Sequence, residues 1–176
     1  MKTVLFISAG VEAISGINKA KQMGFHVVAT DGSPNAPAIP FCDDYIIADT
    51  YDVDDTVAKA CNYDKHVGKI DGVISVAADV PLTTASVAHA LDLFGLPLEA
   101  ARLSMDKLAM KRRLLEHGLA VPMFGEVTSI RDLESFSEKN GFPLVIKPTD
   151  SRGARGVLKL SATSDLAWSY HFTLSQ

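Results

Sequence analysis

Lys147 closes an apolar run, Phe142-Pro143-Leu144-Val145-Ile146, and is followed by Pro148-Thr149-Asp150-Ser151-Arg152-Gly153-Ala154-Arg155-Gly156-Val157. A lysine that interrupts a buried strand needs a partner for its charge. Pro148 stops the strand. Ser151, Gly153 and Gly156 then make a small, supple loop whose backbone N–H groups can point at phosphate oxygens, and Arg152 and Arg155 add positive charge. The chemistry this suits is the holding of a polyphosphate. A Walker loop would need Gly-Lys-Ser/Thr opening a helix, and that is absent. The bland alternative is a plain polar hairpin loop.

Three other positions invite the same question. Lys107 follows Asp106 at the start of a helical stretch, where the helix dipole disfavours a cation and a bound phosphate would offset the cost. Alternatively it is an exposed lysine on a basic helix with Lys111, Arg112 and Arg113. Asp79 lies past the fourth apolar run, at the strand end where α/β sheets gather ligands. It reads either as a substrate contact or as the N-cap of the helix opening at Pro81. The first strand–helix turn, Ser8-Ala9-Gly10-Val11-Glu12-Ala13-Ile14-Ser15, fails the dinucleotide fingerprint. Counted from Gly10, the third position is Glu12, a carboxylate where a pyrophosphate would approach, and the sixth is Ser15. That argues against a nicotinamide-dependent oxidoreductase. The helix start there can still hold an anion. Asp31, 21 residues after Gly10, resembles a ribose-binding acid, but an Asp-Gly turn explains it better.

The elements that must position these residues fall into two parts. Apolar runs at Val4–Ile7, His26–Thr30, Tyr45–Ala48 and Gly72–Val76 alternate with helical stretches at about 11–23, 54–66 and 81–94. The runs are continuous rather than alternating, as in strands buried on both faces of a parallel sheet. Residues 1–102 are therefore expected to form an α/β domain with a Rossmann-like parallel sheet. From 103 the pattern changes. Ser104 is expected to cap a helix over 105–117, with Gly118 past its end. A strand at about 123–128, a helix at 130–139, a hairpin of 143–147 with 157–160 and the start of a helix at 164–172 follow. Residues 103–176 thus read as a small α+β unit, and a two-stranded hairpin is a poor core alone.

Charge divides at the same boundary. Residues 1–102 hold 7 basic and 13 acidic groups, a net of −6; residues 103–176 hold 10 basic and 8 acidic, a net of +2. Across all 176 residues the net charge is −4, which argues against a general nucleic-acid binder. Hydrophobic residues at 47% and charged residues at 22% are ordinary globular composition. Two cysteines make neither a disulfide framework nor a four-thiolate zinc site, so a reducing cytoplasm is the expected setting. No run approaches the length of a membrane span, and the opening residues read as a buried strand rather than a signal peptide.

The order of these parts resembles the front half of the ATP-grasp enzymes. The resemblance rests on the α/β domain, then Leu103-Ser104-Met105-Asp106-Lys107, then 143–147 with its glycine loop. It implies a pre-ATP-grasp domain over 1–102 that helps bind substrate, and an incomplete N-terminal ATP-grasp subdomain over 103–176. Lys107 and Lys147 match the family's two phosphate-contacting lysines, and Ser151 to Gly156, with Gly153 and Arg155, its mobile loop. ATP is the implied cofactor, with Mg²⁺ held by residues expected beyond 176. The implied activity is ATP-dependent ligation of a carboxylate or bicarbonate through an acyl phosphate, with this segment inactive alone. A homodimer is a further implied possibility. The alternative is a stand-alone nucleotide-binding or regulatory module.

Overall fold

Thr3–Ile7 (β1), His26–Asp31 (β2), Asp44–Ile47 (β3) and Gly72–Ile74 (β4) are joined by α1 (Ala13–Gln22), α2 (Val53–His66) and a single 3₁₀ turn at Ile39–Phe41; α3 (Pro81–Ala90) follows β4. The computed structural model describes residues 1–176. The strands form one parallel sheet in the order β3-β2-β1-β4. Leu5 at its centre pairs with Val28 on one side and Val73 on the other.

Alternation along β1 sends side chains to two separate cores. Leu5 and Ile7 join Val28, Ile46, Ala60, Tyr63, Ile70 and Val87 on one face, while Phe6 joins Val27, Ala29, Ala13 and Ile17 on the other. Helices therefore cover both faces, which is why the strand sequences are apolar throughout. Gly16 lets α1 lie close on the sheet: a Cβ there would stand 3.2 Å from Val76 Cγ2 and 3.4 Å from Phe6 Cε1. α1 ends before Gly24, whose φ of +83° suits the left-handed turn that follows.

β4 returns to the far side of β1 after β2 and β3 have been laid on the near side. The topological switch thus falls between the carboxyl ends of β1 and β4. The residues leaving those two ends, Ser8 (φ +84°) and Ala77 (φ +60°), are both left-handed without being glycine. Such backbone is costly, and clusters where chains are shaped for binding.

Contacts divide the chain into two compact units, Met1–Arg102 and Leu103–Gln176. In the second, α5 (Lys107–Glu116) and α6 (Ile130–Asn140) precede the antiparallel hairpin of β5 (Leu144–Ile146) and β6 (Leu158–Leu160), and α7 (Leu166–Leu174) follows. Leu133 of α6, Ile146 and Leu160 form its core, with Val127, Leu166 and Tyr170 packed against them. α6 is capped reciprocally: Ser129 accepts from the Asp132 N–H, and Asp132 accepts from the Thr128 N–H and hydroxyl.

Two expectations for this unit are corrected. Ser104 is not a helix cap, because it lies inside α4 (Leu98–Met105). The cap of α5 is Asp106, whose carboxylate accepts from the N–H groups of Leu108 (2.9 Å) and Ala109 (3.0 Å). No strand forms over 123–128. Side chains hold that segment in place of a ladder: the Tyr170 hydroxyl donates to the Thr128 carbonyl at 2.7 Å, Arg112 pairs with Glu126 at 2.8 Å, and Gly125 lies against the Phe136 ring. No helix is long and apolar enough to cross a membrane.

Candidate functional site

Pairing in the hairpin sets Leu144 opposite Leu160, Val145 opposite Lys159 and Ile146 opposite Leu158. Burial alternates with it. Ile146 and Leu160 go into the core, whereas Val145, Lys147, Val157 and Lys159 are exposed. A two-residue period puts those four on one open face, two aliphatic side chains beside two ammonium groups. Lys147 was expected as a buried cation inside a strand. In fact β5 ends at Ile146, and Lys147 is exposed, with neither a hydrogen bond nor an ion pair. Solvent meets its charge, so no protein partner is needed. Lys159 was not singled out from the sequence; the period-two alternation across the hairpin is the signal that points to it.

Lys107 is the first residue of α5, and its backbone N–H donates to the Thr149 carbonyl at 2.9 Å. Its ammonium donates to the Ser151 carbonyl at 2.6 Å and the Thr149 carbonyl at 3.3 Å. These two oxygens offset the unfavourable dipole at that helix end. The start of α5 is thereby tied to the loop that leaves Lys147 and Pro148.

The loop is internally braced. The Ser151 hydroxyl donates to the Arg155 carbonyl at 3.1 Å, and Arg155 Nε donates to the Arg152 carbonyl at 3.1 Å. Gly153 and Ala154 at the tip have φ of +62° and +60°. The N–H groups of Ser151 and Gly153 make no hydrogen bond within the protein. At the far end Gly156 is buried, with φ +69°; a Cβ there would stand 2.8 Å from Pro148 Cγ and 3.0 Å from Gln176 Cβ. Its carbonyl accepts from the buried Thr173 hydroxyl of α7 at 3.0 Å. Thr173 also went unremarked in the sequence, where a hydroxyl in an apolar helix carries no sign of its partner.

Three sequence candidates belong to the first unit. Asp79 is exposed after β4, and α3 starts instead from Val80 with no side-chain cap bond. The capping reading of Asp79 is therefore corrected. Glu12 is exposed, with its carboxylate turned back over Gly10: Oε2 lies 3.2 Å from where a Cβ on Gly10 would stand. Neither carboxylate has a hydrogen bond or ion pair. Asp31 makes the turn instead, accepting from the N–H groups of Ala9 and Ser33, each at 3.0 Å.

No protein-family model matches the chain. It is 33% identical over 90 residues to a D-alanine–D-alanine ligase of Bordetella avium, covering 48% of this chain and 28% of that protein. It is 28% identical over 171 residues to a formate-dependent phosphoribosylglycinamide formyltransferase of Prochlorococcus marinus, covering 95% of this chain and 43% of that one. In fold it is similar to the ADP complex of an N5-carboxyaminoimidazole synthetase from Staphylococcus aureus, with TM-score 0.77 and 20% identity over 99% of this chain and 45% of the other. The chain thus spans less than half the length of each. These likenesses all fall on ATP-grasp enzymes, each matched over only part of its length.

Proposed function

We propose that this chain is the phosphate-gripping part of an ATP-dependent ligase. In that reaction a carboxylate or bicarbonate oxygen attacks the γ-phosphorus of ATP, and the bond to the β,γ-bridging oxygen breaks to release ADP. An amine nitrogen, or another nucleophile, then attacks the acyl phosphate, loses its proton and expels inorganic phosphate. Catalysis of phosphoryl transfer is largely positioning and charge neutralisation. The single observation that carries the reading is the joining of Lys107 to the loop that follows Lys147, through the 2.6 Å bond to Ser151.

Within this reading Lys147 and Lys107 hold phosphate oxygens. Gly153 and Ser151 offer backbone N–H groups, and Arg155 and Gly156 shape and charge the covering loop. Val145 and Val157 on the same open face suit the flat, apolar side of an adenine ring. Asp79, at the switch between β1 and β4, contacts the substrate to be ligated. No group of three or more His, Cys, Asp or Glu gathers in the chain, and in this reading Mg²⁺ is held by residues outside it. Residues 1–176 alone are accordingly expected to bind nucleotide without turning it over.

Calorimetric titration with adenosine, AMP, ADP and ATP tests the reading. Affinity is expected to climb with each phosphate, because the cations face the phosphate chain rather than the nucleoside. Equal affinity for AMP and ATP would remove phosphate recognition as the role of Lys107 and Lys147.

A further inference from the structure

The two ends of the glycine loop are fastened in different ways. The far end is buried, with Gly156 under Pro148 and Gln176 and its carbonyl bonded to Thr173. The near end is held at Ser151 by a side chain alone, the Lys107 ammonium. The Lys107 N–H to Thr149 bond belongs to the backbone and does not depend on that ammonium. Between the two ends the segment 150–155 is mostly exposed, and its tip turns through left-handed Gly153 and Ala154.

We infer that Lys107 is a latch on this loop as well as a phosphate ligand, and that it exchanges the one role for the other. The inference deepens the polyphosphate reading and rests on it for the exchange. An ammonium has three donors, and two are spent on the Ser151 and Thr149 carbonyls. A phosphate oxygen carries charge, so it is a stronger acceptor for the ammonium than a neutral carbonyl. When a polyphosphate reaches Lys107, the Ser151 carbonyl is given up and the loop loses its tie at that residue. Gly156 stays fixed, so the tip swings about that end. The shift is as large as the difference in the ammonium's affinity for the two acceptors. Without a polyphosphate, the same bond keeps the loop from wandering.

The test uses the full chain, trypsin and inorganic tripolyphosphate. Trypsin cuts after Arg152 and Arg155, and where opening and closing are fast relative to cleavage the rate follows the population of opened loop. Lys107→Met is expected to raise cleavage at those two sites about tenfold without any phosphate, in line with a lost bond to a charged donor. Amide exchange at the core of the second unit, at Leu133, Ile146 and Leu160, should stay unchanged and so separate a freed loop from a loss of that unit's fold. Equal cleavage of wild type and Lys107→Met overturns the latch. The exchange is read in wild type, where no variant needs to fold. Saturating tripolyphosphate is expected to move the Ser151 carbonyl ¹³C resonance upfield, as loss of the hydrogen bond from the Lys107 ammonium does. If tripolyphosphate moves the Lys147 side-chain resonances and leaves the Ser151 carbonyl in place, the exchange is overturned. If it moves neither, the polyphosphate reading fails and takes the exchange with it, while the cleavage comparison alone decides the latch.

Discussion

Replacing Lys147 by Met is expected to weaken ATP binding by about 10- to 100-fold while changing folding stability by less than ~0.5 kcal/mol. A hydrogen bond to a charged group is worth about 1.5–3 kcal/mol, and each ~1.4 kcal/mol is tenfold in affinity. The stability half follows from the surroundings: Lys147 is exposed and touches no acceptor, so its removal leaves nothing orphaned. Val145 and Val157 beside it are exposed too, at 62% and 39%, and the Met side chain fits that open face. Calorimetry reports the affinity and urea melting the stability. A variant that binds ATP like wild type would strip Lys147 of its role. One that binds weakly only because it is partly unfolded would make it structural.

Gly156→Ala is expected to destabilise the second unit by about 2–5 kcal/mol. Left-handed backbone costs an alanine about 1–2 kcal/mol, and forcing a methyl into packed atoms about 1–3 more. Both conditions hold at Gly156, with φ +69° and Pro148 Cγ 2.8 Å from the new carbon. Gly153 is the internal control. Its φ is +62°, but nothing lies within 4 Å of the added carbon, so Gly153→Ala should lose only the backbone part. Trp168 in α7 is the chain's one tryptophan, and its fluorescence reports on the unit concerned. If the two variants melt together, close packing at the loop's far end contributes nothing.

The first unit was legible from sequence because its strands are buried on both faces. Continuous runs such as Leu5–Ile7 and Val27–Ala29 leave a parallel sheet between helices as the only simple solution. The hairpin around 144–160 was legible for the reason that makes a loop visible: Pro148, Gly153 and Gly156 lie between two apolar runs. What failed was local competition. Ser104 and Asp106 are both good caps two residues apart, and extension of α4 through Met105 decided for Asp106. The 123–128 segment has strand-like residues, but its bonds go to side chains of α5, α6 and α7. Lys147 was read one residue too far into the strand, so a buried charge was expected where solvent is found. The lysine–loop bond was out of reach altogether, since Lys107 and Ser151 are 44 residues apart and no periodicity links them.

In the proposed reading the ammonium groups at 107 and 147 serve one phosphate chain. A crystal structure of the chain grown with a non-hydrolysable ATP analogue addresses it most directly. The expected result is both Nζ atoms within hydrogen-bond distance of phosphate oxygens, with the 151–156 loop folded over them. Phosphates seated instead against Gly10 and Glu12 at the end of β1, with Lys147 still in open solvent, would contradict it.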